Sequence, residues 1–159
     1  MGTEFEHKLV VVGDEWRDAV IETSALSQAY LSTTPGMTIR VRVVDDAHAF
    51  LTIKGKQVGI GRPEYEYEIP VDDARALLAM ITEGFPITKT RYALGDPWPG
   101  WIVDEFAGAN AGLVVAELEV PTEETPWEVP VWAGENVTDD FRYTNAELFG
   151  RPFSQWGAG

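Results

Sequence analysis

The sequence contains no cysteine, which excludes disulfide-stabilised scaffolds, thiolate zinc sites, iron–sulfur clusters and cysteine nucleophiles. It also has no apolar run near the roughly 18 residues that suggest a membrane-spanning helix. Only two histidines occur, and neither has a histidine partner at metal-binding spacing. The chain opens with Glu4 and Glu6, whereas a signal peptide opens with basic residues. We therefore expect a cytoplasmic protein.

Positive charge is also scarce. Lysine and arginine together number 12 against 26 aspartate and glutamate residues, which gives a formal net charge of −14. Such a surface repels nucleic acid and anionic membranes, so we expect neither as a partner. The sequence leaves open whether the protein is a monomer or a homodimer.

Length and hydrophobic pattern predict one α+β domain. The 159 residues suffice for one domain and are too few for two substantial ones. We expect a single domain over residues 1–159, with a poorly ordered tail over 151–159. Alternating polarity, which is typical of strands, occurs at 3–12, 27–32, 38–44, 49–54, 64–68, 87–92 and 112–120. Short turns between them favour an antiparallel sheet that is closed or nearly closed.

Three segments have helical signals. Ala74, Leu77, Leu78 and Ile81 have helical spacing after Asp72 or Asp73 as a cap, and Gly84 is the expected stop. Residues 14–22 and 144–150 are shorter helix candidates. The Pro- and Gly-rich segment 95–100 predicts a hairpin connection.

Charged residues of one sign recur on one face of six predicted strands. These groups are Glu4/Glu6 with Lys8, Arg40/Arg42, Lys54/Lys56, Glu64/Glu66/Glu68, Lys89/Arg91 and Glu117/Glu119. Two arrangements account for the pattern. Either an open sheet exposes its charged face to solvent, or the strands close into a barrel with the charges inside. Like-charged neighbours repel, and this cost argues for the second arrangement, in which a bound ligand compensates them.

The two signs of charge describe one kind of ligand. Paired arginines and lysines suit an anion with many oxygens, such as a phosphate chain. Clustered carboxylates suit a hard divalent cation, Mg²⁺ or Mn²⁺. Together they predict a metal–polyphosphate site.

The order of these motifs resembles the CYTH superfamily, the triphosphate tunnel metalloenzymes. EFEHK at 4–8 resembles the family's ExExK signature, and the likeness continues over nearly the whole chain. The later segments are SQAYL at 27–31, IRVR at 39–42, LTIKG at 51–55, RPEYEYEIP at 62–70, ITKTRY at 87–92, WIVDEFAG, GLVVAELE and VTDDFRYTN at 137–145. The resemblance implies a closed eight-stranded antiparallel β-barrel, the triphosphate tunnel, with a few helices packed outside.

The resemblance also implies residue roles. The metal ligands would be Glu4, Glu6, Glu117 and Glu119. The phosphate chain would be bound by Lys8, Arg40, Arg42, Lys54, Lys89 and Arg91. The catalytic group would comprise Lys8, Glu64, Glu66 and Tyr30, with Asp104 in support. Ala29 stands where the family has a glycine before this tyrosine.

The resemblance implies a metal-dependent hydrolase, and inorganic tripolyphosphate is the expected substrate because no motif for reading a base is evident. The same tunnel also serves nucleoside triphosphatases, thiamine triphosphatases and class IV adenylate cyclases, which remain alternatives. A non-catalytic module that binds polyphosphate or a nucleotide is a further one.

Overall fold

The computed structural model describes residues 2–157, which form nine strands and two α-helices. The strands are β1 (Gly2–Val11), β2 (Val20–Ser32), β3 (Met37–Val44), β4 (His48–Gly55), β5 (Gly61–Ile69), β6 (Ile87–Leu94), β7 (Trp101–Phe106), β8 (Val114–Val120) and β9 (Ala133–Asn136). The helices are α1 (Val71–Ala79) and α2 (Asn145–Gly150). None of the helices in residues 2–157 is both long and apolar enough to cross a membrane.

Strands β1 to β8 close into an antiparallel barrel. Their order is β5-β4-β3-β2-β6-β7-β8-β1, and β1 also pairs with β5 to complete the circle. One edge of β1 pairs with β8, and its other edge is shared by β5 and the short extra strand β9. The prediction of a closed eight-stranded antiparallel barrel is therefore confirmed.

The hydrophobic core lies outside the barrel wall. Alternation turns the apolar face of each strand outward, so other segments must cover it. One cluster centres on Trp16, Trp101 and Trp132, which are almost fully buried. In a second cluster, Leu148 and Phe149 of α2 pack against strand residues. In a third cluster, α1 covers parts of β3 and β4.

The predicted helix at 14–22 is wrong over its last three residues. Residues Glu15–Ala19 form a 3₁₀ turn, and β2 begins at Val20. Val20 and Ile21 are β-branched, and pairing with β6 satisfies the backbone of this segment as a strand. Long-range pairing thus outweighs a weak helical pattern.

The other two predicted helices are present, but α1 ends at Ala79, so Ile81 and the expected stop Gly84 lie beyond it. Helix α1 begins after Pro70, so Asp72 and Asp73 lie in its first turn and do not cap it. Their carboxylates still favour the positive end of the helix. Helix α2 has a side-chain cap, because Thr144 accepts a hydrogen bond from the Glu147 backbone N–H. Residues 95–100 join β6 to β7, as predicted.

The segment after α2 makes defined contacts. The Phe153 backbone N–H donates to the side-chain oxygen of Asn110 at 2.8 Å. The ring of Trp156 packs edge-on against Tyr143, with 4.9 Å between centroids. The prediction of a poorly ordered tail also covers residues 158 and 159, which lie outside the described residues.

Trp132 provides a test of the outer core. It is fully buried and packs edge-on against Trp98 and Trp101, each with 5.7 Å between ring centroids. We expect Trp132→Ala to lower the free energy of unfolding by about 3–5 kcal/mol in urea titrations, because it leaves a large cavity. The exposed neighbour Val131 supplies the control, Val131→Ala. Similar stabilities of the two variants would contradict this account of the core.

Candidate active site

The barrel interior contains a cavity of about 230 Å³ that is lined mostly by charged side chains. On β1, Glu4, Glu6 and Lys8 line the cavity, whereas His7 lies on the other face and stacks on Trp127 at 4.3 Å. The further predicted site residues that line the cavity are Tyr30, Arg40, Arg42, Lys54, Glu64, Glu66, Arg91, Glu117 and Glu119. Strand alternation and closure of the barrel therefore bring all the predicted site residues to the cavity wall except Lys89 and the supporting Asp104.

The carboxylates of β1 and β8 face each other across the ladder. Glu6 is opposite Glu119, and Lys8 is opposite Glu117. Burial and the charge of Glu117 raise the pKa of Glu6 to about 8. Burial also opposes the charge of Glu117, but Lys8 and Arg91, both at 3.6 Å, lower its pKa to about 2. Lys8 and Lys54 also favour the Glu6 carboxylate, but they do not offset burial and Glu117.

Lys54 joins two carboxylates at another part of the wall. Its ammonium lies 2.9 Å from a Glu4 oxygen and 3.2 Å from a Glu64 oxygen. Burial disfavours the charged form of Glu4, but Lys54 outweighs that cost and holds the Glu4 pKa below its ordinary value. Burial and the nearby Glu4 raise the pKa of Glu64.

Two arginines of β3 occupy a positively charged part of the cavity. Arg40 donates to Thr52 at 3.2 Å, and Thr52 donates to Glu66 at 2.7 Å. Arg42 donates to the side-chain oxygen of Gln28 at 2.7 Å. Burial, with the charges of Arg40 and Arg91, lowers the pKa of Arg42 to about 9. Crowded cations of this kind favour an anionic ligand.

Asp104 anchors two cations. It accepts from Lys89 at 2.9 Å and from both donor atoms of the Arg91 fork at 2.8 and 2.9 Å. Burial disfavours the Asp104 carboxylate, but the two cations hold its pKa far below the ordinary value. Lys89 shares the Asp104 carboxylate with Arg91. Burial, together with the nearby Arg91 and Arg42, therefore still lowers the pKa of Lys89 to about 7. The Lys89 side chain is fully buried and lies behind the cavity wall, while Arg91 reaches the cavity.

The chain after β9 forms part of the cavity wall. Thr138 accepts from the Lys8 backbone N–H at 3.0 Å, and the Tyr143 carbonyl accepts from the Lys8 ammonium at 3.3 Å. Asn145, at the start of α2, accepts from Lys89 at 3.0 Å and from Gln28 at 3.1 Å. This segment lies outside the strands and accepts hydrogen bonds from two lysines that the strands carry, Lys8 and Lys89.

Sequence reasoning missed Gln28, Thr52 and Asn145. Gln28 and Thr52 are uncharged and almost fully buried. Gln28 lies two residues before Tyr30, and Thr52 lies two residues before Lys54, so each shares a strand face with a predicted site residue. That spacing is the signal by which the sequence could have identified them as cavity residues. Asn145 lies after the last strand, so strand alternation could not have identified it.

Two further charged residues of β5, Arg62 and Glu68, differ in position. Arg62 lines the cavity and donates to the Gly55 carbonyl, at 2.9 Å through its terminal nitrogen. Glu68 pairs instead with His48 at 3.1 Å on the exposed surface. Within residues 2–157, no three acidic or histidine side chains already stand in an arrangement that would hold a metal ion. Lys8 and Lys54 instead balance three of the glutamates.

The ion pairs of Asp104 yield a stability prediction. In Asp104→Asn, Lys89 and Arg91 lose their shared counter-charge while buried, so we expect the unfolding free energy to fall by about 3–5 kcal/mol. The control is Asp14→Asn, since Asp14 pairs with Arg17 on the exposed surface and such pairs contribute little. Equal denaturation midpoints for the two variants would contradict this role of Asp104.

Comparisons with known proteins agree with this architecture. The CYTH domain family model matches residues 2–147. An inorganic triphosphatase from Acetivibrio thermocellus is 40% identical over 156 residues, covering 98% of this chain and 99% of that protein. Another from Nitrosomonas europaea is 36% identical over 151 residues, covering 92% and 96% respectively.

Solved structures share the barrel. The crystal structure of the inorganic triphosphatase NE1496 superposes with a TM-score of 0.66 at 33% identity, covering 92% of this chain and 97% of that chain. A conserved hypothetical protein from Pyrococcus furiosus superposes with a TM-score of 0.59 at 17% identity, covering 76% and 80%, and shares the fold alone. The charged barrel interior, the ordered motifs and the matches over nearly the whole length show that this chain belongs to the CYTH family.

Proposed function

We propose that this protein is an inorganic triphosphatase that hydrolyses tripolyphosphate inside its barrel. The observation that carries the proposal is one cavity inside the closed barrel that is lined by arginines and lysines together with glutamates. The naming of its 40% and 36% identical relatives as inorganic triphosphatases supports the same activity. The reaction adds water to the terminal phosphorus, breaks one bridging P–O bond and releases orthophosphate and pyrophosphate.

The glutamates of β1 and β8 fit a divalent metal, Mg²⁺ or Mn²⁺. Glu4, Glu6, Glu117 and Glu119 would hold it, since they offer only oxygen donors, which hard cations prefer. Burial and the charge of Glu117 disfavour the Glu6 carboxylate, and a bound cation would offset both effects. When bound, the metal neutralises phosphate oxygens and makes a water molecule a better nucleophile.

Cationic side chains would bind the phosphate chain. Arg40, Arg42 and Arg91 present planar forks that match phosphoryl oxygens, and Lys8 and Lys54 add point charges. Phosphoryl transfer depends mainly on positioning and charge stabilisation, which such a set supplies. Lys89 would act indirectly, because it contacts Asp104, which in turn orients Arg91.

Glu64 and Glu66 would orient the attacking water and accept its proton. Burial and Glu4 raise the pKa of Glu64, which makes it a better proton acceptor than an exposed glutamate. Tyr30 lines the same cavity and would supply a hydroxyl donor to the phosphate chain.

The cavity lining favours inorganic triphosphate over nucleotide or thiamine substrates. Among residues 2–157, Tyr30 is the one aromatic side chain that lines the cavity. Trp98, Trp101 and Trp127 pack together with the outer core and so offer no stacking surface inside. A module that only binds polyphosphate is disfavoured, because the predicted metal ligands and catalytic residues all line one cavity. We also propose a cytoplasmic protein, either monomeric or homodimeric, that binds neither nucleic acid nor membrane, given its charge of −14.

Two substitutions test the activity. We expect Lys8→Ala and Glu6→Gln each to lower kcat for tripolyphosphate by a hundredfold or more, because each removes a preorganised electrostatic group. Phosphate release is the measurement, and circular dichroism checks the fold. The controls are Lys56→Ala and Glu83→Gln, which change exposed residues outside the cavity. Retained turnover in both site variants would refute the proposal.

Metal removal and substrate choice provide a separate test. We expect EDTA to abolish phosphate release, and excess Mg²⁺ or Mn²⁺ to restore it. Tripolyphosphate should have a higher kcat/KM than ATP or thiamine triphosphate, and ATP should yield no cyclic AMP. Faster turnover of ATP, or cyclic AMP formation, would assign the tunnel to one of the alternative activities.

A further inference from the structure

Two side-chain amides, the buried Gln28 and the partly exposed Asn145, connect two cations of the site, Arg42 and Lys89. Arg42 donates to the oxygen of the Gln28 side chain at 2.7 Å. A guanidinium has no acceptor, so Gln28 must turn its oxygen toward Arg42 and its amino group the other way. That amino group donates to the side-chain oxygen of Asn145 at 3.1 Å. The orientation of Gln28 is therefore set by the cation beside it.

Hydrogen-bond donors likewise set the orientation of the Asn145 side chain. Its oxygen accepts from Gln28 and also from the Lys89 ammonium at 3.0 Å. An ammonium is likewise only a donor, so the Asn145 oxygen faces both partners. The Asn145 amino group must then face away from them, with both of its N–H donors.

That amino group has no partner within the described part of the chain. Asn145 lines the barrel cavity. Among residues 2–157, no side chain or backbone group accepts a hydrogen bond from its nitrogen, and the atom is not among the buried unsatisfied ones. Two fixed donors thus remain accessible at the wall of a cavity that is rich in cations.

We propose that Asn145 binds the triphosphate directly, through hydrogen bonds from its side-chain amino group to phosphoryl oxygens. The inference rests on the proposed function, since it names a further substrate-binding residue for the same cavity. Phosphoryl oxygens are acceptors, so they match N–H donors that are already oriented. Asn145 adds no charge, unlike the arginines and lysines, and it comes from the segment after the strands.

A role limited to holding Gln28 and Lys89 makes a different prediction. That role uses only the Asn145 oxygen, and an aspartate would fill it equally well. Only contact with an acceptor ligand requires the amino group. Asn145→Asp and Asn145→Ala therefore separate the two roles, because the first keeps the oxygen and the second removes it.

Titration calorimetry with tripolyphosphate in metal-free buffer is the first measurement. We expect Asn145→Ala to weaken binding about tenfold to a hundredfold, as for loss of a hydrogen bond to a charged group. Asn145→Asp should bind more weakly still, because it replaces donors by an anion. The control Gln155→Glu adds the same charge at an exposed position and should bind like the unaltered protein. Stronger binding by the Asp variant than by the Ala variant would overturn the inference.

The side-chain amide resonances provide a readout that a structural role would not move. In ¹⁵N-labelled protein, the Asn145 amino signals are assigned by their loss in Asn145→Asp. They should shift downfield when tripolyphosphate is added, and unmoved signals at saturation would also overturn the inference. If the unaltered protein binds tripolyphosphate without cleaving it, the proposed activity fails, whereas the binding ratios and shifts still decide the role of Asn145.

Discussion

Closure of an alternating sheet is the constraint on which this molecule depends. In each strand every second side chain faces the axis, and closing eight strands leaves those side chains one shared, narrow space. Charges of both signs can remain there only if they compensate one another or a ligand. Asp104 meets this requirement most completely, because its carboxylate contacts Lys89 and Arg91 with full burial of the lysine. The apolar faces must then lie outside, which explains why the tryptophan-rich core surrounds the barrel.

Compensation inside the cavity is incomplete, and the remaining imbalance has a direction. Burial and the nearby Glu117 carboxylate raise the pKa of Glu6 to about 8. Burial and the nearby Arg40 and Arg91 lower the pKa of Arg42 to about 9. Each shift means that the charged form is disfavoured, and a bound group of opposite charge would favour it. A metal ion near the glutamates and a phosphate chain near the arginines would relieve both at once, which connects the folded state to its ligands.

The chain beyond β9 has more than a covering role. It accepts hydrogen bonds from Lys8 through Thr138 and Tyr143, and from Lys89 through Asn145. The position of two cations in the barrel therefore depends on a segment of short helical turns. The six residues of α2 also bury Leu148 and Phe149 in the outer core. One short helix therefore links packing outside the barrel to the position of Lys89, which donates to Asn145 at the start of that helix.

Alternation within single strands was enough to predict most of the barrel and to select the charged residues that line it, because side-chain direction in a strand is a local property. It failed at β7, which is mostly buried and has no alternating pattern, and at 14–22, where pairing with β6 makes the last three residues of a predicted helix part of a strand. Only the tertiary structure decided that Lys89 lies behind the wall, that Gln28 and Asn145 connect Arg42 with Lys89, and that Glu6 makes no ion pair within residues 2–157. Those outcomes depend on which side chains meet across distant strands and after them, and hydrogen-bond donors and acceptors pair by distance in space, which local sequence does not encode.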